Sequence, residues 1–472
     1  MPPRARLSSS TAAAAALLFC ASAAWAAPAA EYAAYLDGAY PADGPGAAAL
    51  VVKGGDVVFR GARGMANLEL GVALEPDHVF RLGSITKQFT GAAIMLLAED
   101  GELSVEDPIT KFLPDYPTHG HTITVEHLLI HTSGVASYTG IPGYMAGGEI
   151  RRDLSTEELV DVFDDRAMDF APGEAWNYSN SGYVLLGAIV EEVSGMTYAD
   201  FVQKRIFDPL GMADSHYGGH QLVPRRVDGY DGGPGEYRNA AYLSMTQPHA
   251  AGSLLSTVDD LARWQAAFWR GEVVSMESVE RMTKRYPLND GELFDYGYGF
   301  QVGDLRGEPM VFHGGGIFGF VTFALWLPEQ EVFVAVLSNS PANPVAPGDV
   351  ARRLAALAID RPFPGRTTLS VAPEDLEAYV GVYVVSEDAV RVVTVEDGKI
   401  FTQRTGGSRF EIVPYAEDRF FYENSLSYLH FDRDASGAVV GMRLYPNGAA
   451  EAQEAPRSSD PADVDAASAA GP

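Results

Sequence analysis

The chain has 472 residues, 47% of them hydrophobic, and a formal net charge of -29 from 63 acidic and 34 basic side chains. A chain of this length is too long for a single compact core, so we expect more than one folded domain. The apolar content excludes global disorder. The acidic balance repels phosphate backbones and anionic headgroups, which argues against nucleic acid and anionic membrane surfaces as partners.

Residues 1–26 have the pattern of a signal peptide. Two arginines precede an apolar stretch, Ala12–Phe19, that is too short to span a bilayer, so we expect no stable membrane insertion. Ala24-Trp25-Ala26 fits a small-x-small cleavage site, and cleavage near Ala26 predicts secretion into the periplasm. A retained signal anchor is the alternative. Cleavage would also remove Cys20, the only cysteine, and with it any thiolate nucleophile, disulfide or thiolate metal site.

Residues 27–362 are predicted to form an α+β domain, an α/β sandwich in which helices flank an antiparallel sheet, with a helical subdomain inserted. Strands are expected at both ends of this segment and helices between them, so the terminal strands would meet in one sheet. The expected strands are two within Ala48–Arg60, around a turn at Gly54, then Met310–Phe312, Val321–Leu327 and Val332–Ser338. The expected helices are a segment between Ser84 and Gly101, Val125–Ile130, Thr156–Phe163, Tyr183–Val193, Thr257–Phe268 with Ser256 as N-cap, and Val350–Ile359.

The composition changes after this segment. Arg361–Gly365 has the proline and glycine content of a linker. Residues 371–450 show short alternating strands separated by Asp-Gly and Gly-Gly turns, typical of a small antiparallel β domain, either a barrel or a sandwich. The tail, 451–472, is rich in alanine, proline, serine and aspartate, and we predict that it is disordered.

The first chemical motif is Ser84-Ile85-Thr86-Lys87, at the predicted start of a helix. A serine is a weak nucleophile until a neighbouring base accepts its proton, and residues three apart share one helix face. Lys87 would therefore lie beside the Ser84 hydroxyl and could activate it. Taken alone, the motif fits an N-capping serine followed by a solvated lysine equally well.

The second motif is Tyr178-Ser179-Asn180, which follows a Pro-Gly turn and precedes a predicted helix. A tyrosine near Lys87 could act as a general base or relay a proton to the leaving group, and the asparagine could hold a substrate carbonyl. Tyr-x-Asn also occurs at Tyr237, Tyr422 and Tyr445, so this motif alone favours an ordinary half-buried tyrosine.

The third motif is His313-Gly314-Gly315-Gly316, expected at the end of one strand and before the next. Glycines there would let a substrate lie against the strand edge and would expose backbone N–H groups to an oxyanion. The alternative is a loose turn that carries a surface histidine.

Together with the segments around them, these motifs resemble the serine β-lactamase and DD-peptidase superfamily, in its class C-like, penicillin-binding-protein-like branch. The resemblance covers about Ala48–Ile359. It rests on FRLGSITKQFTGAAIMLLAEDGELSVEDPITKFLPDYP, ITVEHLLIHTSGV, FAPGEAWNYSNSGYVLLGAIVEEVSG and IFDPLGM, which occur in this order. The Tyr383–Tyr445 region resembles the lipocalin-like domain appended to many relatives.

The resemblance implies a serine hydrolase that works through an acyl-enzyme. Ser84 would attack the substrate carbonyl, Lys87 would hold or accept the serine proton, and Tyr178 would act as base in acylation and return the proton to the leaving group. Substrate binding would fall to Asn180, His313 and Gly315, and the oxyanion hole would be the backbone N–H groups of Ser84 and Gly316.

The third motif departs from the family pattern. Many penicillin-recognising relatives have Lys-Thr-Gly or Lys-Ser-Gly where this chain has His313-Gly314-Gly315, and a histidine is a weaker, pH-dependent cation. A small-molecule or peptide substrate, an ester or a D-amino-acid amide, therefore fits better than a β-lactam. We expect an esterase, a D-aminopeptidase or a D-Ala carboxypeptidase-like enzyme. The alternative is a non-catalytic, penicillin-binding-like cell-wall sensor or scaffold with this fold.

Two other enzyme classes find less support in the sequence. Four histidines lie close together, but no His-Glu-x-x-His signature accompanies them, so we predict no metal and no cofactor. No Gly-x-Ser-x-Gly occurs, which argues against an α/β-hydrolase. The oligomeric state stays open. The four histidines are His119, His121, His127 and His131.

Overall fold

The computed structural model describes residues 29–365, 367–386, 389–423, 425–449 and 451–459, so the predicted signal peptide lies outside the described residues. The strands before residue 340 are β1 (Ala47–Lys53), β2 (Asp56–Arg63), β3 (Met65–Asn67), β4 (Val72–Ala73), β5 (Phe80–Arg81), β6 (His216–Tyr217), β7 (Tyr230–Asp231), β8 (Arg238–Asn239), β9 (Leu254–Ser256), β10 (Tyr286–Pro287), β11 (Leu293–Phe294), β12 (Gln301–Leu305), β13 (Glu308–Ile317), β14 (Phe320–Leu327) and β15 (Val332–Ser338).

Six of these strands form the main sheet, in the order β12-β13-β14-β15-β1-β2 with every neighbouring pair antiparallel. β1 pairs with β15, with Ala49 opposite Val336, so the two ends of the segment meet in one sheet as predicted. Both faces of the sheet are buried. Successive strand residues point to opposite faces, so Leu50 packs into one core and Val51 into the other.

Helices cover both faces of this sheet, which confirms the predicted α+β class. Within the described ranges, no helix combines the length and apolar character needed to cross a bilayer. The helices are α1 (Ala29–Ala39), α2 (Thr86–Glu99), α3 (Val125–Leu129), α4 (Thr156–Val160), α5 (Asn180–Ser194), α6 (Tyr198–Val202), α7 (Asp208–Leu210), α8 (His249–Gly252), α9 (Val258–Trp269), α10 (Met276–Met282), α11 (Pro347–Ala358) and α12 (Pro373–Leu376).

The start of α9 differs from the prediction. Thr257 is the N-cap, because its side-chain oxygen accepts the Asp260 N–H at 3.1 Å. Ser256, the predicted cap, belongs to β9 instead, and its hydroxyl lies 2.8 Å from the hydroxyl of Ser215. Ser256 and Thr257 both carry a hydroxyl, so the sequence allowed either residue to be the N-cap. Ser256 pairs with Phe80 of β5, which leaves Thr257 as the N-cap.

The ends of other helices also differ from the predicted ranges, as α4 and α5 show. α4 ends at Val160 instead of Phe163, because the residues that follow form tight turns with i to i−3 backbone bonds. α5 begins at Asn180, three residues before its predicted start, because the Ser179 side chain accepts the Gly182 N–H at 3.2 Å and caps the helix there. The earlier start brings Asn180 onto a rigid element.

The C-terminal part forms a nearly closed antiparallel barrel of eight described strands, in which a bridge between Tyr383 and Arg457 links the first strand to the chain after the last. The prediction that the chain is disordered from residue 451 is wrong for β23, which pairs with β22. Backbone hydrogen bonds hold β23, so it needs few apolar side chains. The strands are β16 (Gly381–Ser386), β17 (Ala389–Glu396), β18 (Lys399–Arg404), β19 (Arg409–Ala416), β20 (Arg419–Tyr422), β21 (Tyr428–Arg433), β22 (Val439–Tyr445) and β23 (Gln453–Pro456).

Candidate active site

Ser84 lies at the junction between β5 and α2. The chain turns there through the 3-10 segment Gly83–Ile85, and Gly83 has a φ of +57°, which favours glycine. A Cβ on Gly83 would come within 2.9 Å of the Gly316 nitrogen, so the missing side chain lets β13 approach the turn. As a result, Ser84 and Gly316 line the same cleft.

Lys87 lies one helical turn after Ser84 and is fully buried. Its Nζ is 3.2 Å from Ser84 Oγ, 2.9 Å from Asn180 Oδ1 and 2.8 Å from the Ala251 carbonyl oxygen. Burial lowers the pKa of Lys87 well below its usual value, because an ammonium ion loses its hydration there. The neutral amine therefore forms at a lower pH than in an exposed lysine. It is placed to accept the Ser84 proton.

Tyr178 lies in the loop before α5, with its ring centroid 4.7 Å from Lys87 Nζ. Burial raises the pKa of the Tyr178 phenol, and a side-chain hydrogen bond with Ser84 only partly offsets this. The phenol is therefore neutral at ordinary pH. It is better placed to pass on a proton than to hold a negative charge.

Asn180 is the first residue of α5 and orients Lys87. Its Oδ1 accepts from Lys87 Nζ, and its Nδ2 donates to Thr139 Oγ1 at 3.1 Å. Both ends of the amide are thus fixed, and the side chain also lines the cleft beside Ser84. The structure brings together four of the predicted residues, Ser84, Lys87, Tyr178 and Asn180.

His313 does not lie where the sequence placed it. The motif is inside β13, not beyond its end, and the His313 side chain is only 2% exposed. Nδ1 lies 2.6 Å from the Gly314 carbonyl oxygen, which can only accept, so Nε2 accepts from the Tyr296 hydroxyl at 2.9 Å. Burial lowers the pKa of His313 to about 3. The structure therefore does not support the predicted substrate-binding cation at His313.

This placement predicts an acid-sensitive fold. The pKa of His313 is about 3 in the folded state and near 6.5 when unfolded, so between these values only the unfolded chain takes up the proton. The free energy of unfolding should fall as the pH falls, by up to about 1.4 kcal/mol per pH unit from this group. Urea unfolding at several pH values below about 6.5 measures the slope, which His313→Asn should reduce.

The control for that slope is His121→Asn, because His121 is exposed. It should keep the wild-type dependence on pH. Parallel curves for the wild type and His313→Asn would contradict the prediction, because they would mean that the folded protein protonates His313 as readily as the unfolded chain does.

Gly315 and Gly316 differ in what surrounds them. A Cβ on Gly315 would overlap the Leu82 carbonyl oxygen, which also accepts from Thr322 Oγ1 at 2.6 Å. Gly315 therefore permits close backbone packing, and its predicted contact with substrate finds no support in this geometry. Gly316 is exposed in the cleft, and a Cβ there would meet no atom within 4 Å.

Alanine at these two positions should lower stability by different amounts. Gly315→Ala should lower the free energy of unfolding by about 1–3 kcal/mol, because β13 must move away from Leu82. Gly316→Ala has room for its methyl group, so we expect a loss of about 1 kcal/mol or less. Denaturant unfolding of both variants measures the difference. Equal losses would contradict the proposed contact with Leu82.

The cleft beside Ser84 is small, about 120 Å³. Two aromatic residues, Tyr138 and Phe318, border it. Tyr144 instead donates a hydrogen bond to Gln247 Oε1 at 2.7 Å, and Trp176 is 41% exposed. A cleft of this size suits a short acyl group.

Sequence reasoning missed the buried aromatic layer behind Tyr178. His131 is 1% exposed, and its ring centroid lies 4.3 Å from that of Tyr178 and 4.7 Å from that of Tyr296. Its Nδ1 accepts the Ser179 N–H at 3.1 Å, which holds the loop that carries Tyr178. Burial lowers the pKa of His131 well below its usual value, so this wall of the site is neutral. The signal for it in the sequence was its place directly after the apolar run Leu128–Ile130.

The four clustered histidines do not share a site that could hold a metal. Across the described ranges, no group of three or more histidine, cysteine, aspartate or glutamate side chains is arranged to bind a metal ion. His127 Nδ1 accepts the Thr124 N–H at 3.2 Å in the capping box of α3, and His131 lies behind Tyr178. These two histidines thus have structural partners.

Comparisons with known proteins identify the relatives of this chain. Residues 37–358 match the family model described as Beta-lactamase. A penicillin-binding protein of Bacillus subtilis (strain 168) is 30% identical over 427 residues, 85% of this chain and 93% of that protein. A D-aminopeptidase of Gluconobacter oxydans (strain 621H) is 29% identical over 301 residues, 63% of this chain and 56% of that protein. The structure of a penicillin-binding protein homologue from Pyrococcus abyssi has a TM-score of 0.63 at 28% identity and covers 88% of this chain and 96% of its own.

Proposed function

The chain belongs to the β-lactamase family, and from that premise we propose that it is a serine hydrolase that acts through an acyl-enzyme on small esters or amides. The observation that carries the proposal is Lys87, a buried amine whose hydrogen bonds go to the neutral groups of Ser84, Asn180 and Ala251. With no negative charge among these partners, the ammonium form loses stability, and the amine can serve as a base.

In the proposed acylation, Ser84 Oγ attacks the substrate carbonyl carbon while its proton passes to Lys87 Nζ. The backbone N–H groups of Ser84 and Gly316 would stabilise the charge that develops on the carbonyl oxygen. Lys87 then returns the proton through the Tyr178 hydroxyl to the leaving group, which departs as an alcohol or an amine. We assign the first proton transfer to Lys87, because burial raises the pKa of Tyr178 and keeps its phenol neutral.

Deacylation would use the same groups in reverse. A water molecule attacks the acyl carbonyl carbon and gives a proton to Lys87 Nζ. The carbon–oxygen bond to Ser84 then breaks, Ser84 Oγ regains the proton, and the carboxylic acid leaves. Asn180 would keep Lys87 aimed at Ser84 in both steps, since its Oδ1 lies 2.9 Å from Nζ.

Small esters and D-amino-acid amides are the substrates we propose. The neutral, buried His313 gives a β-lactam carboxylate no cation at this position. The cleft beside Ser84 suits a short acyl group, and one relative is a D-aminopeptidase. Secretion, predicted from residues 1–26, would place the activity in the periplasm.

The test uses the mature protein with p-nitrophenyl acetate, D-alanine p-nitroanilide and benzylpenicillin, with product release and intact mass recorded together. Steady release of nitrophenol or nitroaniline would support the proposal. An acyl-enzyme that forms once and never turns over would favour the sensor or scaffold. A folded protein that reacts with none of the three would overturn the proposed function.

A further inference from the structure

Two arginines line a groove beside the Ser84 cleft. Arg81, in β5, and Arg226 both line two neighbouring cavities of about 440 Å³ and 150 Å³. We propose, on the basis of the proposed function, that these arginines form a subsite that binds a carboxylate on the substrate. The subsite would make an acid-bearing ester or amide a better substrate than its neutral counterpart.

The first observation is that neither guanidinium group has an ion-pair partner among the described residues. Among the residues that the structure describes, neither has a carboxylate within ion-pair distance or an acceptor for its side chain. Other arginines of this chain are paired, such as Arg60 with Asp259 at 2.8 Å and Arg205 with Asp100 at 2.9 Å. In a chain with a net charge of -29, two adjacent free cations lining a groove indicate a site for an anion.

Arg81 is also held in place by its surroundings. It is half-buried, and its Cζ lies 5.7 Å from the ring centroid of Phe320. Burial and the neighbouring Arg226 charge lower the pKa of Arg81, but a guanidinium stays charged in a protein. Two like charges at close range destabilise each other, and a bound anion would remove that cost.

The groove adjoins the cleft that holds the nucleophile. Leu243 lines both the 440 Å³ cavity and the Ser84 cleft, and Phe318 lines both the 150 Å³ cavity and that cleft. A substrate with its carbonyl at Ser84 could therefore extend one arm past either residue to the arginines. Their position on this substrate path favours a substrate group over an unrelated ligand.

The other charged groups around the groove favour a monoanion. Asp228 faces Arg81, but its carboxylate accepts from Asn67 Nδ2 at 2.6 Å. Asp153 lines the larger cavity and is 2.5 Å from Ser244 Oγ and 2.7 Å from His220 Nε2. These two carboxylates would repel a dianion more than a monoanion. A carboxylate also matches the planar fork of an arginine.

The test compares kcat/KM for p-nitrophenyl butyrate, for the mono-p-nitrophenyl ester of adipic acid, and for the butyrate ester of 4-hydroxybenzoate. The last two carry a carboxylate on the acyl or on the leaving-group arm. Wild type should prefer at least one of them over the neutral ester. Arg226→Gln should lower the ratio of anionic to neutral kcat/KM by about tenfold or more.

Arg226 is exposed, so its substitution should not disturb folding, and Arg81→Gln gives a second reading of the same ratio. The matched control is Arg404→Gln, which removes an exposed charge from the C-terminal barrel and should keep the wild-type ratio. An equal ratio in wild type and Arg226→Gln would overturn the subsite, even if every ester is hydrolysed.

A second readout does not depend on activity. Calorimetric titration of monomethyl adipate, which carries one carboxylate like the monoester substrate, into the Ser84→Ala protein should show binding that Arg226→Gln weakens about tenfold. If no ester is hydrolysed, the proposed function fails and this titration alone decides the subsite. No binding of monomethyl adipate, or equally tight binding of inorganic phosphate, would overturn the carboxylate assignment.

Discussion

Ser84→Ala should lower kcat/KM for p-nitrophenyl acetate by about 10³-fold or more, because it removes the hydroxyl that lies 3.2 Å from Lys87 Nζ and that would form the acyl-enzyme. The fold should survive. Lys87 Nζ keeps its bonds to Asn180 Oδ1 and the Ala251 carbonyl oxygen, so the buried amine does not lose all its partners. We expect the free energy of unfolding to change by about 1 kcal/mol or less.

The measurement pairs initial rates with intact mass and thermal unfolding. The variant should show no mass increase after incubation with the ester, whereas the wild type should gain one acetyl group. Ser436→Ala is the matched control, because Ser436 lies in an exposed turn of the C-terminal barrel, where its hydroxyl bonds Asp434. Ester turnover in Ser84→Ala at the wild-type rate would show that another group is the nucleophile.

The sequence predicted the elements whose signal is local. β1 and β15 are continuous apolar runs because both faces of each strand are buried, and such runs are visible without knowing the partner. The three-residue spacing of Ser84 and Lys87 likewise needs only one helix. Both the two strands and the Ser84–Lys87 pair could therefore be predicted without knowledge of tertiary contacts.

Long-range contacts explain what the sequence could not supply. His313 is neutral because it is buried beside Tyr296. Nothing in the glycine motif indicates that burial. The Ala251 carbonyl that holds Lys87 lies 164 residues away and has no side-chain signature. β23 shows the same limit, since backbone pairing with β22 holds it and Ala455 is its one buried described residue.

The second large effect concerns Lys87. Lys87→Arg keeps the positive charge, but a guanidinium cannot lose its proton and thus cannot accept one from Ser84. We expect kcat to fall by about 10³-fold, comparable with the loss of an essential base–nucleophile unit. Lys87→Met removes the charge with little change in volume. It should lose similar activity and also about 1–3 kcal/mol of stability, because Asn180 Oδ1 and the Ala251 carbonyl lose their donor.

The dependence of activity on pH separates a base from a mere positive charge. Burial lowers the pKa of Lys87, so the active neutral amine is lost as the pH falls through that lowered pKa, and kcat/KM should fall on the acid side. Any residual activity of Lys87→Met should lack this acid limb. Lys284→Met, which removes an exposed lysine, should keep the wild-type profile. An unchanged acid limb in Lys87→Met would move the role of base to Tyr178, against the raised pKa of its buried phenol.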